Sequence, residues 1–460
     1  MAVAEKVASI YEIWQKADKA YDPRKVQDAG VDEAVKKLTP EKIEKVINET
    51  IEAIGGARLK TYVETCIHCG LCSEACHFYL SHDRDPKYAP VGKVKQTIWP
   101  MLKNKGRVTP EFIRNAARIA YTECNACKRC SMFCPFGIDM AFIMLSVRRI
   151  CHMLGVTPLY LQDTAHSHSV TMNQMWVKQD DWIDTLLWQE EEARGEVKGV
   201  RVPIDKVGAD IMYSVIGPEP KFLAQLMGYA AILMHVAGIN WTYPSFDGWD
   251  NSDMAMYSRD DETMGRVKRA HFDAAYRLKA KKIVMGECGH AFRSVYDVGT
   301  RWLGMKMPPI PIIHSIQFYY ELLRDGKIKI ARKFKEPITL HDPCNIVRGR
   351  GLHKMARYVM NAICEDFREM SPNGEYNFCC NSGGGTINCG PPWKITRMLG
   401  NRVKAEQMKE TGAHVVVTPC HNCHSGIEDI NKYYNLGMHV KFLIDILLPC
   451  IEKPEELKSK

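Results

Sequence analysis

Cys66-Ile67-His68-Cys69-Gly70-Leu71-Cys72-Ser73-Glu74-Ala75-Cys76 and Cys124-Asn125-Ala126-Cys127-Lys128-Arg129-Cys130-Ser131-Met132-Phe133-Cys134 share one spacing. In each, three cysteines stand three apart and a fourth follows four later. Thiolates at this step wrap three corners of a cubane from one turn of chain, and the fourth ligand comes from the other motif, so two clusters interlock. The spacing predicts one cubane 4Fe–4S cluster on Cys66, Cys69, Cys72 and Cys134, and a second on Cys124, Cys127, Cys130 and Cys76. Structural zinc is the competing reading, although zinc sites favour two C-x-x-C pairs over a repeated three-plus-one run. Pro135 follows the second motif, whereas His77 follows the first; this removes no ligand but changes the local electrostatics. Two one-electron cofactors side by side make a wire, so substrate chemistry belongs elsewhere in the chain.

A second constellation occupies the C-terminal half: His341-Asp342-Pro343-Cys344, then Cys379-Cys380, then Cys420-His421-Asn422-Cys423. Adjacent cysteines suit one zinc poorly because their side chains diverge, and five thiolates exceed what one cubane needs. The surplus asks for a larger or opened cluster, with a vicinal disulfide at Cys379-Cys380 as the alternative. Gly383, Gly384 and Gly385 suit close backbone approach and N–H donation to sulfur.

Around these motifs, strand and helix patterns alternate over the last 250 or so residues. Strands are expected at 209–215, 282–285, 338–340 and 414–417, and helices at 220–237, 351–364 and 395–411. The two halves resemble each other: Val284-Met285-Gly286-Glu287-Cys288 and Val417-Thr418-Pro419-Cys420 each run from an apolar strand into a cysteine. Loops at strand C-terminal ends are where α/β folds build sites. Upstream, residues 11–56 carry helical periodicity, with Thr39 as a cap and Pro40 at the first helical position. Another helix is expected at 110–121. Trp176, Trp182 and Trp188 stand at six-residue steps in a segment expected to be a surface connector packing its tryptophans on the core. The fold class expected is multidomain α+β. A helical region at 1–56 precedes a ferredoxin-type two-cluster domain at 57–160 and a connector at 161–200. Two duplicated α/β cysteine-rich half-domains follow, a degenerate one at 201–330 and a complete one at 331–460.

Composition excludes several classes. The chain has 460 residues, 46% apolar and 25% charged, with a net charge of +8 and no block of like charges. That composition is globular and gives no footprint for nucleic acid. Met1 to Ala20 has no apolar core of a secretory signal. Phe222 to Ile239, interrupted by Gln225, Gly228, His235 and Gly238, reads as a buried helix rather than a membrane span. Eighteen cysteines at metal spacing in a large chain read as cluster ligands in a reducing, cytoplasmic compartment.

The ferredoxin block followed by a C-C…C-x-x-C repeat resembles the D-type iron–sulfur subunit of heterodisulfide reductases, over about Thr65 to Cys450. The Cys-His-Asn-Cys-His ending and the single complete repeat look most like the K subunit of the dissimilatory sulfite-reduction membrane complex or its tetrahaem-cytochrome-linked paralogue. The resemblance implies a noncubane 4Fe–4S cluster on Cys344, Cys379, Cys380, Cys420 and Cys423. The first repeat departs from the pattern, keeping only Cys288, so one noncubane cluster is expected and not two. The resemblance further implies an oxidoreductase of anaerobic sulfite or sulfate respiration, peripheral on the inner face of the cytoplasmic membrane. Electrons would pass from menaquinol through a haem b subunit and the cubanes to a disulfide or trisulfide on a small cysteine-bearing carrier protein. Cys288 is expected to face the cluster and engage substrate sulfur. His290, His421 and His424 are candidate proton donors to the departing thiolate, with His341 also near in sequence. Alternatives are a relay subunit of a quinone-linked 2-hydroxyacid or glycerol-3-phosphate dehydrogenase, with any flavin on a partner since no G-x-G-x-x-G occurs, and a zinc-bound scaffold.

Overall fold

The computed structural model describes residues 8–299, 304, 306, 308–348, 350–454 and 457. Residues 1–7 of the stretch read for a signal lie outside the described residues. The N-terminal third is helical. Ser9 caps Ile10–Ala20 through a reciprocal bond with Glu12. Thr39 accepts from the Lys42 N–H at 3.3 Å to start Pro40–Ala53, with Pro40 at the first position. Ile43, Ile47 and Ile51 of that helix are buried. They join a core with Ile113, Ala117 and Tyr121 of Pro110–Thr122 and with Met144, Val147 and Ile150 of Met140–Met153.

The C-terminal two thirds hold two four-stranded parallel sheets. The first contains β1 (Ile211–Ser214), β2 (Trp241–Thr242), β3 (Lys282–Met285) and β4 (Ile312–His314) in the order β2-β1-β3-β4. The second contains β5 (Ile338–Leu340), β6 (Phe367–Arg368), β7 (Val415–Val417) and β8 (His439–Lys441) in the order β6-β5-β7-β8. Ser214 pairs with Met285 in the first, and Leu340 with Val417 in the second. Central strands β1, β5 and β7 are buried along their length, as parallel strands covered on both faces require. Both sheets share one apolar core, and the N-terminal helix joins it: the Trp14 indole donates to the Leu399 carbonyl at 3.1 Å. The architecture is thus mixed α/β and helix-rich.

Two expectations need correction. The connector expected at 161–200 consists largely of two helices, Leu159–Thr171 and Gln179–Glu196. Of its three tryptophans only Trp182 packs inward, stacked on Trp249 at 4.4 Å, while Trp176 and Trp188 are exposed. The helix expected at 395–411 breaks into Lys394–Leu399 and Arg402–Glu410 where Gly400 and Asn401 leave helical geometry; a Cβ at Gly400 would meet the Phe78 ring. The apolar stretch at 222–239 forms the buried helix Gln225–Val236. Among the described residues no helix is long and apolar enough to cross a membrane.

Candidate functional site

Both cysteine motifs fold the same way. Positive φ at His68 (58°) and Gly70 (84°) recurs at Ala126 (50°) and Lys128 (66°), turning the chain back so that the following one-turn helix carries Cys72 or Cys130. Consecutive N–H groups in such turns form concavities suited to anions. Cys76 sits with the second motif. It lines a pocket together with Cys124, Cys127, Cys130, Lys93 and Arg129. Burial pushes the Cys130 thiol up, reinforced by Cys127, Cys76 and Cys124. A cavity lined by four thiols and buried cations fits a 4Fe–4S cluster. The first motif lies outward: Cys69 is exposed and Cys66 and Cys134 are half-buried.

The second constellation gathers at the C-terminal ends of the strands. Cys344 opens a single turn shortly after β5, Cys420 caps helix His421–Tyr433 after β7, and Cys423 lies in that helix's first turn. The loop after β6 brings in Cys379 and Cys380. The thiols form a line of neighbours. Cys344 lies within hydrogen-bonding reach of Cys379, Cys379 of Cys380, Cys423 of Cys420, and Cys420 of Cys288. Cys380 and Cys423 stand 3.3 Å apart, sulfur to sulfur. At one end Cys379 reaches Cys127 of the second motif. Every thiol in this line is buried except Cys127, which is half-buried. Contact with Cys379 and Cys423, and with His341, holds the Cys380 thiol well below its ordinary range. The ligand atoms of His341, Cys380 and Cys423 lie within 4.8 Å of one another. The Asn381 N–H donates to the Cys379 sulfur at 3.4 Å. Gly384 lies close against the Asn125 carbonyl of the second motif and Gly385 against the Tyr257 and Leu161 side chains, and none of these neighbours is a sulfur.

Residues 338–428 match the family described as cysteine-rich domain, and residues 62–138 the 4Fe-4S dicluster domain. Over 437 residues the chain is 24% identical to the Hdr-like menaquinol oxidoreductase iron-sulfur subunit of Archaeoglobus profundus, covering 81% of this chain and 76% of that one. It is 25% identical over 404 residues to the D-type subunit of the dihydromethanophenazine:CoB–CoM heterodisulfide reductase of Methanosarcina barkeri, covering 85% and 94%. Over most of its length the chain is similar to the D-type iron–sulfur subunits of heterodisulfide reductases. It is therefore an iron–sulfur oxidoreductase, and the two matched domains indicate 4Fe–4S clusters rather than structural zinc. A probable membrane-anchored ferredoxin of Chromohalobacter salexigens is 25% identical over 427 residues, covering 80% of this chain and 56% of that one.

The chain distributes its candidate histidines unevenly. His421 donates to or accepts from Glu219 at 3.0 Å through Nε2, a buried pair that joins the two sheets. His290 is buried edge-on to Tyr257, its Nδ1 met by Asn422 and its Nε2 by the Asp253 carbonyl; burial pushes it down to about 3, so its ring is neutral. His424 stacks flat on Phe442 at 4.2 Å, and burial lowers it to about 4. His341 lies with the paired thiols Cys380 and Cys423. Two buried charged groups escaped the sequence reading. Lys404 is pushed down to about 7 by burial, with the Cys380 thiol the chief opposing charge. Glu287 ties the sheets together, accepting from the Leu443 and Ile444 N–H groups at 2.8 Å each. Only its spacing from Cys288 marked it. Cys151, Cys364, Cys389 and Cys450 are buried, with no part in the thiol line.

Proposed function

We propose that this chain is the catalytic iron–sulfur subunit of a quinol-linked, heterodisulfide-reductase-like complex of sulfite or sulfate respiration, reducing a disulfide or trisulfide carried on a small cysteine-bearing protein. The observation that carries the reading is the unbroken line of neighbouring thiols from Cys127 to Cys288. It supports a path in which the exposed cubane on Cys66, Cys69, Cys72 and Cys134 receives electrons from a membrane haem b partner. The buried cubane on Cys76, Cys124, Cys127 and Cys130 hands them to a noncubane cluster held by Cys344, Cys379, Cys380, Cys420 and Cys423. The bound clusters supply single electrons and an iron able to bind sulfur. The chain's own residues do the rest. Cys288 stands against Cys420 at the end of the line and is assigned the contact with the substrate sulfur. Cleaving one disulfide takes two electrons and two protons and leaves two thiols. His421, oriented by Glu219, is assigned the proton supply; His290, neutral and bonded on both nitrogens, is assigned positioning, and His424 a lesser role at the rim. Such a subunit would sit on the inner face of the cytoplasmic membrane.

A low-temperature EPR titration tests this. A paramagnetic signal that appears on oxidation only when a thiol or thiol-bearing partner is added supports substrate at the third cluster. Its absence with the third cluster intact sinks the reductase reading. One observation favours a second reading, a pure relay in a quinone-linked dehydrogenase: Cys288 and Cys420 are only 1% and 2% exposed. The same titration separates the two.

A further inference from the structure

Buried arginines in this protein follow a rule with an exception. Arg118 and Arg397, and half-buried Arg357, are each paired with a carboxylate, Glu123, Asp429 and Asp342 respectively. Buried Arg293 has no such partner and donates to the Ala126 carbonyl and to Asn345 Oδ1. Arg129, Arg148 and Arg348 are buried too, at 6%, 1% and 7% exposure, and among the described residues none of them has a carboxylate at ion-pair distance. Their hydrogen bonds go to main-chain carbonyls. Arg148 donates to Cys124 at 2.6 Å and Gly384 at 2.5 Å, Arg348 to Cys127 at 2.8 Å, and Arg129 to Ala75 at 2.6 Å. Buried Lys93 completes the set, bonded to the Glu123 carbonyl at 2.5 Å and 3.9 Å from the Cys76 sulfur.

These cations surround one place. Lys93 and Arg148 are the charges that act most on Cys124, Arg348 acts on Cys127, and Arg129 lines the cavity with Cys76 and Cys130. Unpaired buried cations are costly unless an anion neutralises them. Four thiolates around a 4Fe–4S core are such an anion, one charge more negative when reduced. Burial alone disfavours the reduced form; fixed cations in a low dielectric favour it and here outnumber any acid. At the outer motif the balance differs. The charges acting most on Cys72 are other thiols, and Lys95 beside Cys66 is exposed and screened by water.

Resting on the cluster assignment above, we propose that Arg129, Arg148, Arg348 and Lys93 are a fixed counter-charge for the inner cubane. They set its potential above that of the outer one, so that electrons run downhill toward the Cys379 end of the thiol line.

The test is an anaerobic redox titration of the full, cluster-loaded chain followed by EPR. A water-soluble paramagnetic relaxer identifies the outer cluster by enhanced relaxation. In the wild type the protected cluster should titrate at the higher potential. In Arg129→Gln its reduction equilibrium should fall by about tenfold, or about 59 mV for one electron, with the outer cluster unmoved. Arg129→Lys should retain the wild-type value. Lys93→Gln should shift the same cluster in the same direction and serves if Arg129→Gln fails to fold. A protected cluster that titrates below the outer one, shifts equally with it, or falls as far in Arg129→Lys as in Arg129→Gln overturns the counter-charge. Iron and sulfide analysis showing a single cubane would overturn the cluster assignment itself, which is a different failure.

Discussion

The two sheets have one strand order and two chemistries. Three residues beyond β3 stands Cys288, and three beyond β7 stands Cys420; both cap the next helix with extended backbone. From there the halves part. Ala291 occupies the helical position that Cys423 fills, and Pro218, four residues after β1, matches Cys344, four after β5. The loop after β6 carries Cys379 and Cys380, whereas the loop after β2 carries Asp250 and Asp253. Each half also buries a lysine on a following helix. Lys268 stands 3.5 Å from Asp253, and Asp250 stands 3.4 Å from His168, all fully buried. Lys404 has only neutral hydrogen-bond partners, Met370, Asn377 and Gln407, and the thiols are among its nearest charges. A buried ammonium needs a negative neighbour. Carboxylates supply it where the thiols are missing, and thiolates supply it where they are present.

The largest expected break in this comparison comes from the matched cysteines. Cys420→Ser should lose one cluster's worth of iron and sulfide, leaving the two cubanes. Cys288→Ser should keep all the iron and lose only the thiol-dependent EPR signal. Equal iron loss in both would make the two positions chemically alike. Next, Lys268→Met should destabilise the protein by about 3–5 kcal/mol by stranding Asp253; denaturant unfolding measures it, and adding Asp253→Asn should restore part of the loss. A smaller effect is expected where the second half meets the cluster block. Gly384 has φ +63°, and a Cβ there would collide with the Asn125 carbonyl, whereas one at Gly383 would meet only Asn345 at 3.8 Å. Gly384→Ala should therefore cost about 1–3 kcal/mol and Gly383→Ala nearly nothing, read as unfolding midpoints.

The smallest effect is one histidine's share of a pH slope, read at the end of β4 in the first sheet. β4 ends in buried His314, whose Nδ1 accepts from the Ile316 N–H at 3.1 Å and whose value burial lowers to about 3; β8 ends in exposed Lys441. Between pH 3 and the ordinary histidine value near 6.5 the unfolded chain binds a proton that the folded chain refuses. Stability therefore rises with pH across that window and is lost on acidification, by at most about 1.4 kcal/mol per pH unit. His314→Asn should keep the cap and reduce the slope by that one histidine's share in urea titrations at several pH values, since His290 and His424 are lowered in the same way.

Much of this was legible in the sequence. The cysteine spacing gave the outer and inner motifs, and short apolar runs located β3 and β5 to the residue and β7 to within one. The edge strands were not legible. β2 and β6 have two residues each and β8 is largely exposed, so none shows a burial pattern to read. The candidate histidines were chosen by nearness to cysteines, which does not give direction: His424, one residue from Cys423, turns to Phe442. The contact of Cys127 with Cys379 and the arginines between them join residues far apart in the chain, and no local pattern signals that.

The bond from the Trp14 indole to the Leu399 carbonyl spans 385 positions. At about 5–20 residues per second of synthesis, the first helix waits roughly 20 to 80 seconds for the acceptor to leave the ribosome. Every cysteine of both ferredoxin motifs emerges within that interval, before the latch can shut. The ferredoxin block is thus made well before the latch can close, and closure by Trp14 requires synthesis as far as Leu399.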